Sequence, residues 1–228
     1  MAITEIIQFP SLEGHTPFES IDKTAQKIAE ILWEVKYPKH FVLGTQIQDK
    51  GAIQITAEWD GVQDPKQIKT TPEFKTLIKS ISNLYGEPSS IFHVSSDCSL
   101  FGPDGPATAN VFEYVQSYFP VSRVTPEFKK QVEDDFLKFD EIFSKGAIGG
   151  TSWISGWTLE EIEHEDAKGE KTKGFIVVRG WESIDQFQES IHNEAYGKAI
   201  PLLLAWKVPF KMWHVERSML DQRRLPHD

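Results

Sequence analysis

The stretch GWESIDQFQESIHNEAYGKAIPLLLAWKVPFKMWHVE, Gly180–Glu216, has a weaker counterpart upstream. Ala57–Ser95 reads AEWDGVQDPKQIKTTPEFKTLIKSISNLYGEPSSIFHVS. Trp59 and Asp60 answer Trp181 and Glu182, and TTPEF (Thr70–Phe74) answers HNEAY (His192–Tyr196). IFHV (Ile91–Val94) answers MWHV (Met212–Val215), and GTQ at Gly44–Gln46 answers GTS at Gly150–Ser152. A fixed order of features at near-equal spacing marks an internal duplication, so one plan is used twice.

That plan shows in the hydrophobic pattern. In the first copy Ile3–Phe9 alternates as a strand does. A helix over about 20–36 places Ile21, Ile28, Ile31, Leu32 and Val35 on one face. Phe41–Gln48 and Ala52–Trp59 form strands around an Asp49-Lys50-Gly51 turn. Asp64-Pro65, with Gln67 completing a capping box, opens the next helix. A further helix carries Phe74, Leu77, Ile78, Ile81 and Leu84, and Gly86 ends it before a strand at Ser90–Val94.

The second copy repeats the order. Its elements are a strand at Val111–Tyr118, a helix from Thr125-Pro126, strands at Gly149–Leu159 and Gly174–Trp181, and a helix capped by Ser183. Each copy is β-α-β-β-α-β, the ferredoxin-like plan, and the fold class is α+β with two tandem repeats. Residues 1–96 form the first repeat, 97–109 a Gly/Pro/Ser-rich linker, 110–218 the second repeat and 219–228 a tail. The charged insertion Glu160–Gly174 has no apolar face and is expected to be a solvated excursion.

Composition narrows the partners. A net charge of −10 disfavours nucleic acid, whose phosphates require clustered Lys and Arg. Cys98 is the sole cysteine, which excludes an intramolecular disulfide and a cysteine-based zinc cluster. MAITEIIQF has no signal-peptide pattern, and the longest strongly apolar run, Ala199–Trp206, is far short of a bilayer span. The expectation is a cytoplasmic protein that binds neither nucleic acid nor membrane. There is no HExxH, no GxSxG and no phosphate loop, and neither a metal nor a cofactor is expected.

The segment GWESIDQFQESIHNEAY resembles the dimeric α+β barrel superfamily, in particular its antibiotic-biosynthesis-monooxygenase-like branch. A strand-end Trp and a capped helix lead there into a His-x-x-x-aromatic segment. The second copy matches well, whereas the first has lost the His, with Lys69 or Thr70 near its place. The resemblance implies two four-stranded sheets closing an eight-stranded barrel. Most relatives do this as homodimers; here both sheets lie in one chain, implying a monomeric pseudo-dimer that is free to self-associate further.

Several residues could carry chemistry. His93 and His214 hold matched places in the two last strands, and an imidazole facing a cavity could act as general base. A structural histidine bonded to backbone fits the same pattern. His192 holds the position that binds haem iron in haem-degrading relatives, and Trp181 fits their strand-end Trp, while Asn110 lies slightly early for the third part. Trp153, Trp181 and Trp213, with Tyr114, could wall a planar ligand or simply fill a core. Glu113 and Arg179 are charged residues within strands that either face solvent or mark a polar spot in a pocket.

The favoured function is binding of a small hydrophobic or aromatic molecule in the second repeat. Cofactor-independent monooxygenation or a polyketide-cyclase-like step would follow, with His214 as base. The alternatives are a non-catalytic, stress-responsive α+β-barrel protein and a haem-binding protein.

Overall fold

A computed structural model describes residues 1–11, 26–32, 34, 38, 40–58, 65–167 and 169–218. The first half runs β1 (Ala2–Phe9), α1 (residues 26–32), β2 (His40–Gln46), β3 (Ile53–Glu58), α2 (Pro65–Thr70), α3 (Pro72–Tyr85) and β4 (Ser90–Ser96). The second runs β5 (Val111–Pro120), α4 (Pro126–Phe143), β6 (Gly150–Thr158), β7 (Thr172–Trp181), α5 (Ile184–Ile191), α6 (Glu194–Leu204) and β8 (Phe210–Arg217). The start of the predicted first helix, the Asp64 cap, Trp59 and the 219–228 tail lie outside the described residues.

Side-chain caps start four of the helices, two of them, at Thr125 and Ser183, where the sequence placed them. Thr71, Thr125, Ser183 and Asn193 each accept from the backbone N–H three residues on, at 3.2, 3.2, 3.3 and 2.9 Å. Gly86 ends α3 with φ 95°, a conformation that an L side chain resists.

The strands close one barrel in the order β1-β3-β2-β8-β5-β7-β6-β4, and every pair is antiparallel. Each half contributes a four-stranded ferredoxin-like sheet, and closure leaves no sheet edge in water. Alternation sends one set of side chains into the barrel and the other beneath the helices. Ile6, Val42, Phe92, Phe112, Tyr114, Val178 and Trp213, drawn from both halves, pack in the interior. A separate apolar layer lies under the helices of each half, around Ile55 and Leu77 in the first and Phe136 and Trp181 in the second.

The linker does more than span. Leu100 is fully buried against the interior cluster, and its N–H donates to Glu58 Oε1 at 2.5 Å. Ser99 Oγ donates to Glu58 Oε2, also at 2.5 Å, so the segment caps one end of the barrel.

The two halves meet at two short seams, β2 with β8 and β4 with β6. Both need a glycine. A Cβ on Gly44 would stand 2.4 Å from the Glu216 carbonyl oxygen, and one on Gly156 would stand 2.2 Å from that of Ser95. The registers make these two glycines equivalent: Gly44 faces Gln54 and Gly156 faces Ile176, while Gln54 faces Gln8 as Ile176 faces Gln116. The counterpart of Gly44 is therefore Gly156 and not Gly150, which corrects the GTQ–GTS match. Gly156→Ala is expected to lower the unfolding free energy by about 1–3 kcal/mol through overpacking. Urea unfolding checks this, and an unchanged midpoint contradicts it.

Candidate functional site

His93 and His214 both point away from the barrel interior, since their neighbours Phe92, Val94, Trp213 and Val215 face inward. Each spans a seam. The His93 backbone N–H donates to Glu160 Oε2 at 2.9 Å, and its ring Nδ1–H donates to Glu160 Oε1 at 2.6 Å. The His214 backbone N–H donates to Gln48 Oε1 at 2.9 Å, and Gln48 Nε2 lies 2.8 Å from His214 Nδ1. The last strand of each half is thus gripped, through one histidine, by the residue just beyond the second strand of the other half. One clamp carries a carboxylate and the other an amide.

The inner sides of these rings differ. Glu5 faces His93 across β1 and β4, and its Oε1 accepts from Nε2 at 3.0 Å, with both side chains fully buried. Glu113 faces His214 across β5 and β8 in the same register. Its carboxylate instead accepts from Trp181 Nε1 at 2.9 Å. His214 Nε2 is buried and has no hydrogen-bond partner among the described residues. The first pair is hydrogen-bonded; the second is not.

Surrounding groups hold Glu113 in place. Arg179, its cross-strand neighbour on β7, pairs with Asp140 of α4 and lies 5.3 Å from the Phe143 ring centroid. Trp153 Nε1 donates to the other Asp140 oxygen at 2.9 Å. The His214 ring packs on Phe187 of α5 with centroids 4.2 Å apart. In the first half Ala57 stands where Arg179 does, facing Glu5, so the polar cluster belongs to the second half alone.

Electrostatics separate the two histidines. Burial alone would lower the His93 pKa, but hydrogen bonds and charge from Glu160 and Glu5 outweigh it and raise the pKa. Burial likewise opposes ionisation of Glu160, and its bonds with His93 outweigh it and lower that pKa. Burial pushes His214 down to about 4. Burial also raises Glu113, although Arg179 and the Trp181 bond pull the other way.

The signs follow from linkage. His93 contributes stability that is present below pH 6.5 and lost as pH rises through its higher folded value. Glu160 contributes above pH 4.5 and loses its contribution as pH falls through its lower folded value. His214 acts in the opposite sense to His93, because between pH 6.5 and about 4 the unfolded chain binds the proton that the folded chain refuses. Urea unfolding of the parent and His214→Phe from pH 7 to pH 4 should show the parent losing about 3 kcal/mol more than the variant. Parallel pH profiles would contradict this.

The remaining predicted residues are distributed over three places. Tyr114 and Trp213 stack inside the barrel, with centroids 5.2 Å apart and planes 8° apart. They are bonded there to Thr56 at 2.8 Å and Gln54 at 2.8 Å respectively, which makes them packing residues of the interior. Trp153, Trp181 and Arg179 lie beneath the helices with His214. His192 is exposed at the end of α5, its Nδ1–H on the Gln188 carbonyl at 2.5 Å. Trp181 is fully buried while His192 stands at the surface, so the two do not frame one haem cavity.

Gln48, Glu160, Glu5 and Asp140 were not singled out by sequence. Trp157 of β6 donates to Glu133 of α4 at 2.9 Å and fastens that helix to the sheet, and Trp206, just beyond α6, donates to Asp135 of α4 at 3.2 Å. Two surface depressions of about 300 and 400 Å³ lie on the helices of the first half, lined in part by Lys75, Ile78 and Asn83, and neither histidine lines them. Among the described residues no cluster of His, Cys, Asp and Glu is placed to hold a metal ion. Among them, too, no helix is long and apolar enough to cross a membrane.

No protein-family model matches the chain, and no curated protein matches it. Solved structures match over almost its whole length. A presumptive monooxygenase from Fusobacterium nucleatum superposes with a TM-score of 0.58 at 11% identity, covering 95% of this chain and 92% of that one. An anthrone oxidase-like protein gives 0.56 at 15% identity, covering 95% and 91%. A mutant chlorite dismutase from Candidatus Nitrospira defluvii gives 0.52 at 9% identity, covering 97% and 93%. Likeness at these identities is likeness of fold, and function has to be argued from the site. The chain has the dimeric α+β-barrel fold, with both halves of the barrel in one polypeptide.

Proposed function

We propose that the chain binds a small, hydrophobic, aromatic molecule beneath the helices of the second half, and that the bound molecule undergoes cofactor-independent oxygenation or a cyclase-type step. The observation that supports this reading is the unpartnered, buried His214 Nε2 across the strands from Glu113. The equivalent pair in the first half, Glu5 and His93, is closed at 3.0 Å, whereas His214 Nε2 is buried without a partner among the described residues. A buried polar atom left unsatisfied is destabilising by about 1–3 kcal/mol unless something bonds to it. Trp181, Phe187, Phe143 and Tyr196 supply apolar surface around it. A carboxylate with a raised pKa beside a buried imidazole suits proton transfer on a substrate that reacts once deprotonated.

The names of two fold neighbours, a monooxygenase and an anthrone oxidase-like protein, agree with this class of reaction. The bonding of both His93 ring nitrogens to carboxylates favours the second half over the first for this role. Anthrone, a tricyclic ketone with an acidic methylene, is a suitable probe. Native mass spectrometry in its presence is expected to show one anthrone per chain, with anthraquinone formed under oxygen. Neither an adduct nor product would contradict the proposal.

A further inference from the structure

We infer that His214 serves as a neutral hydrogen-bond donor to a ligand oxygen while Glu113 takes the proton, and that Gln48, supplied by the first half, fixes this division of roles. The inference rests on the proposed function and names the substrate class: an aromatic molecule with a carbonyl or enolate oxygen conjugated to an acidic C–H.

The argument starts at the amide. Gln48 Oε1 accepts the His214 backbone N–H at 2.9 Å, and an N–H can be paired only with the oxygen of that amide. The other amide atom, Nε2, is therefore the one facing His214 Nδ1 at 2.8 Å, and it has only hydrogens to offer. Nδ1 must accept. In the neutral ring the proton then sits on Nε2, the buried atom without a partner. An N–H there can hold an oxygen and cannot remove a proton. The low pKa of His214 keeps the ring neutral near pH 7, as such a donor requires.

The other half is an internal control. Glu160 replaces the amide with a carboxylate, which accepts from both the backbone and Nδ1–H, and Glu5 accepts from Nε2. That ring is a charged double donor with nothing left to offer.

Proton abstraction in the second half falls to Glu113, the carboxylate in register with His214. The charged or titratable groups around the pair are Arg179 on β7 and Tyr196 on α6, whose pKa is raised by burial and by Glu113. Neither competes for the His214 proton. For anthrone, Glu113 would remove a methylene proton and the C–H electron pair would delocalise onto the carbonyl oxygen held by Nε2–H. Dioxygen would then be reduced as it bonds to that carbon, and Glu113 would return its proton to the peroxide oxygen to give the hydroperoxide. Loss of water from the resulting hydroperoxide gives anthraquinone, so anthrone plus O2 becomes anthraquinone plus H2O.

Two measurements test this separately from the proposed function. Nitrogen NMR of the ligand-free protein at pH 7 is expected to show His214 protonated on Nε2 alone. In Gln48→Glu it should carry a proton on Nδ1 and titrate above pH 6.5, as His93 does. Tryptophan fluorescence titration should show anthrone binding about tenfold more tightly than 9,10-dihydroanthracene, which lacks the oxygen. In His214→Phe that preference should vanish. A parent His214 protonated on Nδ1, or equal affinity for the two probes, overturns the inference even where both bind. If neither probe binds, the proposed function fails together with the ligand half of the inference.

Discussion

His93→Ala is expected to lower the unfolding free energy by about 3–5 kcal/mol, because it removes the cation from a buried ionic cluster. Glu5 is fully buried and Glu160 about a third exposed at its side chain. Once the imidazolium is gone, Glu160 can turn to water, whereas Glu5 keeps its charge under the sheet without that counterion. The substitution also loosens the β4–β6 seam, since the ring bond to Glu160 is lost and only the backbone N–H of residue 93 still holds that carboxylate. The loss should be largest below pH 6.5, where the parent imidazolium contributes fully, and should shrink as pH rises through its elevated folded pKa. Urea unfolding at pH 5.5 and pH 9 measures both effects. A loss under 1 kcal/mol at pH 5.5, or one that grows with pH, would mean that the cluster does not hold the seam.

Arg179→Met should cost about 3–5 kcal/mol for a related reason, and it should also alter the site. Arg179 is 5% exposed and is the positive partner of Asp140, and its charge opposes the burial that raises Glu113. Methionine retains much of the packing against Phe143 but strands the Asp140 carboxylate with only the Trp153 indole. The Glu113 pKa should move further up. The double variant Arg179→Met/Asp140→Leu should recover much of the stability, since removing both ions of a buried pair is far less costly than removing one. A double variant no more stable than the single one would show that the Arg179–Asp140 pair is not the origin of the loss.

The fold was legible because its signals are local. The caps at Thr125 and Ser183 sit at the ends of 3.6-period segments, and the strand pattern follows a period of two. The repeat of MWHV and IFHV exposed the duplication. The seams were not legible, because what joins them is far apart in sequence. Gln48 lies beside a turn and is 166 residues from His214, and Glu160 opens a charged insertion that composition alone marks as solvent-facing. The GTQ–GTS similarity misled because three shared letters outweighed a register that only strand pairing reveals. The linker was judged by its glycines and prolines, and the burial of Leu100 was not visible in them. For the site, the matched histidines were found but their surroundings were not. Whether each is charged depends on Glu160 against Gln48, a difference of one amide placed in the opposite half.

The central claim is that the duplication left one histidine pair closed and the matching one open for a ligand. The most direct test is to follow the ring resonances of His93 and His214 by NMR while anthrone is added to the intact protein. The account predicts a saturable shift of His214, with His93 unmoved. A shift confined to His93, or saturable binding of anthrone that leaves both rings unchanged, would contradict it.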